Sequence, residues 1–297
     1  MRGSVGLARK LHLSELVVGA TVIGFGTSFP ELMVSIRAAT TGFPNLILGN
    51  VVGSNTANVL LVGGAAAMVY PLLPDGTAVR RNVIIMVLSV VGFAIMAVVN
   101  GLGQVGGAIL LAAFLVIMGL TARSTLHEQR NADVSTPLEW VLGVPVRPVT
   151  IAIFIVFGIV ALPLGAILLV DSAVDIAQSF NVSETVIGLT VLALGTSLPE
   201  LTTAVLAALE RRSDVAIGAI IGSNTFNILM IMGVAAALSP EPISISTRFM
   251  VFDVPVMLLS SAILAAFAWK GWEIGRITGA LLVVSYVAYM GALFAFV

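Results

Sequence analysis

Nine stretches of mostly apolar residues, each long enough for a helix to cross a bilayer, decide what this chain can fold into. A helix needs about 20 such residues to span the hydrocarbon core. The stretches lie near 14–36, 45–69, 82–99, 104–121, 149–177, 183–208, 214–238, 249–269 and 275–296. Backbone polar groups in lipid must be satisfied within the segment, so each stretch is expected as a helix. Turn signals separate them at Gly42-Phe43-Pro44, Pro71 to Gly76, Asn100 to Gly103 and Pro240 to Pro242. Trp140, Trp269 and Trp272 stand at span ends, where interfacial anchors sit. The expected fold class is an all-α membrane protein.

Composition agrees. The chain is 59% hydrophobic and 10% charged, whereas a soluble domain carries about 25% charged residues. A net charge of −1 offers no basic face to nucleic acid, and the absence of Cys excludes disulfides, thiolate metal sites and Cys nucleophiles. Arg2, Arg9, Lys10 and His12 interrupt the first dozen residues, so a cleavable signal peptide is not expected. Of the 14 Lys and Arg residues, all but Arg37 and Arg248 fall on or beside alternate loops. The positive-inside rule then predicts a cytoplasmic N-terminus and a cytoplasmic 122–148 loop.

That loop divides two halves that repeat. Gly26-Thr27-Ser28-Phe29-Pro30-Glu31 matches Gly195-Thr196-Ser197-Leu198-Pro199-Glu200 at an offset of 169. Gly49-Asn50-Val51-Val52-Gly53-Ser54-Asn55-Thr56-Ala57-Asn58 matches Gly218-Ala219-Ile220-Ile221-Gly222-Ser223-Asn224-Thr225-Phe226-Asn227 at the same offset. The motif helices are spans one and six, an odd number apart, so the copies cross the membrane in opposite senses. Inverted repeats of this kind characterise secondary transporters with a site at the midplane. The expected domains are a first repeat over 1–121, a cytoplasmic linker over 122–148 and a second repeat over 149–297.

The offset also aligns Met1 with Val170, so the first half has no counterpart of the apolar stretch Ile151–Ile176. Without that first helix, Thr27, Ser28 and Glu31 are expected to be exposed along a groove beside 14–36.

The matched motifs carry the chemistry. Glu31 and Glu200 each lie near mid-membrane, where a carboxylate costs roughly 2.5–3.5 kcal/mol or more and marks a functional site. Pro30 and Pro199 lack an amide hydrogen and loosen the helix beside them. Thr27, Ser28, Thr196 and Ser197 add hydroxyls. Ser54 and Asn58 are four apart on one helix face, as are Ser223 and Asn227. The Gly-Ser-Asn motif also reads as packing glue, since small residues let helices approach. The inventory is oxygen only, with His12 and His127 away from the motifs. Oxygen cages select hard cations, and Ca²⁺ takes about six to eight such ligands. Asp171, Asp175 and Asp253 lie near span ends and read as solvated or structural.

At these residues the chain resembles the sodium/calcium exchanger family of the calcium/cation antiporters, in its short prokaryotic form. The resemblance implies ten helices in two inverted repeats, with Ca²⁺ and Na⁺ as transported substrates and no cofactor. It implies ion ligands at Glu31, Thr27, Ser28, Ser54 and Asn58, and at Glu200, Thr196, Ser197, Ser223 and Asn227. It adds backbone carbonyls at Gly24 and Ala193. Some family members carry Asp where Asn227 stands. The proton/calcium branch has an acid within its Gly-Asn-x-x-Glu stretch, where this chain reads Gly49-Asn50-Val51-Val52-Gly53. The alternatives are coupling to H⁺ or K⁺, or a cation channel. An enzyme is a weaker reading, because no nucleophile or His cluster accompanies the glutamates.

Overall fold

The computed structural model describes residues 24–99, 102–131, 148–180 and 182–295. Helices α1 (Gly24–Thr27) and α2 (Phe29–Thr41) open it, followed by α3 (Pro44–Val69), α4 (Thr77–Val98), α5 (Gln104–Asn131) and α6 (Pro148–Phe180). The second half continues with α7 (Glu184–Thr196), α8 (Leu198–Leu209), α9 (Ser213–Leu238), α10 (Phe249–Lys270) and α11 (Arg276–Ala295). Among the described residues six helices are long and apolar enough to cross a membrane, and the bent pair α7–α8 makes a seventh. Every expected span has a helical counterpart from residue 24 onward; residues 14–23, Trp140 and most of the 122–148 linker lie outside the described residues. Three boundaries differ by five residues or more: α2 runs on to Thr41, α4 starts at Thr77, and α5 runs to Asn131, so the start of the expected linker continues the helix.

The chain turns inside out relative to a soluble bundle. In α3 and α9, which carry the Gly-Ser-Asn motifs, 94% of the spanning window is buried, against 33% for α4 and 17% for α5. The polar helices therefore form the centre. Leu88, Leu115, Val251 and Ile277 are exposed on the apolar helices around it, which suits hydrocarbon as the surrounding solvent.

The two halves are related by an inverted pseudo-two-fold and interlock. The last helix of the first half, α5, packs on the end of α9, and the last helix of the second half, α11, packs on the end of α3. Helices α4 and α10 pack on each other. The loops clasp too: Leu72 and Ile274 exchange backbone hydrogen bonds at 3.1 and 2.8 Å.

Each motif helix breaks at its serine. Ser28 (φ −83°, ψ 6°) separates α1 from α2, and Ser197 (φ −84°, ψ 3°) separates α7 from α8, with a 45° bend at the second. Pro30 and Pro199 then sit in the first turn of the following helix, where a missing N–H loses no hydrogen bond. A second pair of irregularities is also matched. The π-helical turns at Asn58–Gly63 and Asn227–Ile231 start at repeat-equivalent asparagines. Such widened turns gather at functional sites.

The packing of α6 corrects one expectation. This helix lies chiefly along α2 of the other repeat, and only secondarily along α7 of its own. Arg37 on α2 pairs with Asp171 on α6 at 3.2 Å. Both are partly exposed, so the pair contributes at most about 1 kcal/mol. The face of α2 is thus covered, and Thr27, Ser28 and Glu31 are buried rather than lipid-facing. The repeat-equivalent face is on α8, where Leu198, Leu206 and Leu209 are exposed. That face is apolar apart from Thr202, whose hydroxyl donates to the Leu198 carbonyl at 2.8 Å, so it carries little of the expected polar penalty.

Candidate ion site

The breaks at Ser28 and Ser197 bring the two Gly-Thr-Ser-x-Pro-Glu motifs together between α3 and α9. All ten side chains that the sequence singles out as ligands are at most 3% exposed: Thr27, Ser28, Glu31, Ser54, Asn58, Thr196, Ser197, Glu200, Ser223 and Asn227. The glutamates interact across the pseudo-axis. Thr196 and Ser197 of the second repeat lie beside the Glu31 carboxylate, while Ser28 and Thr27 of the first lie beside Glu200, with Ser223. Ser28 Oγ donates to Glu200 Oε1 at 3.0 Å.

The electrostatics of this cluster are one-sided. Both carboxylate oxygens of Glu31 and Oε2 of Glu200 have no protein partner, and neither do Ser197 Oγ or the side-chain oxygens of Asn55, Asn58 and Asn227. Among the described residues the ion pairs are Arg37–Asp171 and Arg80–Asp75, both at the surface, and no cationic side chain pairs with either glutamate. A buried carboxylate without a counter-charge is strongly unfavourable. Two of the hydroxyl hydrogens, by contrast, are turned away. Ser54 Oγ donates to the backbone carbonyl of Asn50, and Thr196 Oγ1 reaches the carbonyl of Leu192 at 2.9 Å. What remains inside is a set dominated by unpartnered oxygens, with the Asn227 amide nitrogen beside them; a hard cation satisfies those oxygens and a hydrophobic packing does not.

Asn58 Nδ2 donates to Asn224 Oδ1 at 3.0 Å, and Asn224 Nδ2 donates to the carbonyl of Asn55 at 3.2 Å. These bonds tie α3 to α9 where they cross and leave the Asn58 amide oxygen free. Ala193, one of the two backbone positions implied by the resemblance, ends the π-helical turn of α7, and its carbonyl accepts from Ser197 N at 3.1 Å. The other, Gly24, begins α1.

Residues 1–122 and 150–295 match the family model described as sodium/calcium exchanger protein. The chain belongs to the sodium/calcium exchanger family. Among similar proteins, the sodium/calcium exchanger MaX1 of Methanosarcina acetivorans is 32% identical over 97% of this chain and 91% of its own length. The inner membrane protein YrbG of Escherichia coli is 32% identical over 97% of this chain and 89% of its own. A solved structure of the sodium-calcium exchanger NCX_Mj superimposes with a TM-score of 0.72 at 29% identity, covering 97% of this chain and 90% of that one.

One feature of this site escapes sequence reasoning. Asn50 is fully buried and bridges three elements, donating to the carbonyl of Glu31 at 3.3 Å and to Ser35 Oγ at 3.1 Å, and accepting from Thr196 Oγ1 at 3.2 Å. Its spacing of four before Ser54 was a signal that it shares the site-facing stripe. Away from the site, Asp253 is 1% exposed and accepts from Tyr289 OH at 2.9 Å, the structural alternative of the two readings open to it. Asp171 and Asp175 are exposed, as their place near a span end predicts.

Proposed function

We propose that this protein is a secondary active antiporter that exchanges Ca²⁺ for Na⁺ through a midplane site shared by the two repeats. The observation that carries the reading is the pair of buried, uncountered glutamates, each beside the hydroxyls of the other repeat. The exchange rule follows from charge. Two carboxylates neutralise one Ca²⁺ or two Na⁺, and two uncompensated charges resist crossing an apolar barrier. A loaded site can switch sides; an empty one cannot, so flux in one direction requires flux in the other. The names of MaX1 and NCX_Mj as sodium/calcium exchangers support the same substrates. The ligands in this reading are the ten side chains above, with the carbonyls of Gly24 and Ala193. The repeats occupy 1–121 and 149–297, and the N-terminus and 122–148 linker face the cytoplasm of a prokaryotic cell.

The test is ⁴⁵Ca²⁺ uptake into proteoliposomes under imposed Na⁺, K⁺ or pH gradients. Uptake driven by an outward Na⁺ gradient alone is the expected result. Uptake driven only by K⁺ or pH gradients would reassign the coupling ion, and uptake needing no counter-ion would make the protein a channel.

The asparagines should rank below the glutamates. Each offers a neutral amide oxygen, so Asn58→Ala or Asn227→Ala removes one ligand and no charge. A lost hydrogen-bond-strength contact is worth about 1–2 kcal/mol, so the half-saturating Ca²⁺ concentration should rise about five- to thirtyfold. Transport should persist at saturating Ca²⁺; complete loss in either variant would contradict the ranking.

A further inference from the structure

The repeat makes the two halves of the site look equivalent, but the structure does not. Asn50 has Ala219 as its repeat mate, and Ser35, which it touches, has Ala204. The bridge they form therefore exists on one side only.

The bridge fixes where protons point. The carbonyl of Glu31 can only accept, so the Asn50 amide nitrogen must face α2, where it also meets Ser35 Oγ. The amide oxygen is then forced toward α7, where it lies 3.2 Å from Thr196 Oγ1. A hydroxyl has one hydrogen. Three acceptors take the hydrogen bonds of Thr196 Oγ1 on the side away from Glu31: Asn50 Oδ1 at 3.2 Å, the Leu192 carbonyl at 2.9 Å and the Ala193 carbonyl at 3.5 Å. The hydrogen is drawn to that side, and the lone pairs are left for the neighbouring Glu31 carboxylate region. Ser197 Oγ beside it has no partner, and neither carboxylate oxygen of Glu31 has one. On the other side, Glu200 Oε1 is already taken by Ser28.

We infer that Asn50 is a positioning residue that makes the Glu31–Thr196–Ser197 half the tighter half-site for a single monovalent hard cation, Na⁺. One carboxylate with two hydroxyl oxygens balances one positive charge, and Asn50 acts by holding the Thr196 hydrogen out of the way. The Glu200 half lacks the amide and binds Na⁺ more weakly. This rests on the exchange reading for its cargo.

The experiment measures ²²Na⁺ equilibrium binding to the purified full-length protein, so it gives an answer even if Ca²⁺ transport fails to appear. Asn50→Ala, which copies the mate Ala219, should weaken the tighter class of Na⁺ binding about tenfold, the scale of one hydrogen-bonding interaction. The effect should vanish in a Thr196→Val background and persist in a Thr27→Val background. A packing role for Asn50 would instead add to both. Should Asn50→Ala not fold, Ser35→Ala loosens the same amide and should weaken binding about two- to threefold, again only while Thr196 is present. Unchanged Na⁺ binding, or additivity with Thr196→Val, overturns the inference. Wild-type protein that binds Na⁺ as expected but shows no Na⁺-driven Ca²⁺ uptake overturns the exchange reading instead.

Discussion

Glu31→Gln or Glu200→Gln should end Ca²⁺ exchange while leaving an inserted, folded protein that still binds one Na⁺. Glutamine keeps the shape and one acceptor oxygen but removes one of the two charges. With Ca²⁺ bound, a single remaining carboxylate leaves one positive charge uncompensated in a site whose ligands are at most 3% exposed. Breaking a buried charge pair by removing one partner costs about 3–5 kcal/mol, which lowers Ca²⁺ affinity on the order of a hundredfold to a few thousandfold. One Na⁺ with one carboxylate, by contrast, is neutral. The two variants should differ in degree. Glu31 has no hydrogen-bond partner on its carboxylate, whereas Glu200 holds the Ser28 hydroxyl, so Glu31→Gln exposes less unsatisfied machinery and should fold at least as well as wild type. Isothermal Ca²⁺ and Na⁺ titrations on purified variants, with ⁴⁵Ca²⁺ uptake beside them, measure this. Wild-type Ca²⁺ uptake in either variant would remove that glutamate from the site.

The sequence made much of this legible because the chain states its site twice. A constant offset of 169 places Glu31 with Glu200 and Asn58 with Asn227, and apolar length alone finds each helix, though not every end of it. Repetition has a blind spot, however. Asn50 and Ser35 carry a side-chain bridge, but their mates are Ala219 and Ala204, so a search for matched polar residues passes over them. Contacts between repeats are equally hidden. Nothing in the pattern of α6 says that it lies along α2 rather than along its own α7. Both choices bury an apolar stripe, and the decision rests on three-dimensional complementarity that includes Arg37 and Asp171. Asp253 takes the structural one of the two roles open to it, but its partner is not legible: Tyr289 lies thirty-six residues later in the chain and supplies the hydroxyl that meets the buried carboxylate.

The same site depends on a contact that tolerates no side chain at all. Helix α3 meets α7 through Gly49 and Gly53, four residues apart and so on one face. A Cβ on Gly49 would lie 2.6 Å from the carbonyl oxygen of Thr185 and 2.7 Å from Gly188 Cα and Leu189 N, all backbone atoms. A Cβ on Gly53 would lie 2.7 Å from Ala193 Cβ and 2.9 Å from the carbonyl of Leu189. Backbone cannot rotate out of the way, so α7 must retreat. Overpacking of this kind costs about 1–3 kcal/mol for a methyl and more for larger groups. Gly49→Ala should therefore lower the thermal unfolding midpoint in detergent by several degrees, and Gly49→Leu should prevent recovery of folded protein. Because α7 ends at Thr196, Gly49→Ala should also weaken cation binding, which ties the packing defect to the site. Gly92→Ala on α4 and Gly119→Ala on α5 are the controls: an added Cβ there meets nothing within 4 Å, and alanine favours helix over glycine by about 1 kcal/mol. Those variants should be as stable as wild type or slightly more so. A Gly49→Ala protein that melts and binds cations like the controls would mean that α3 and α7 do not pack at this distance.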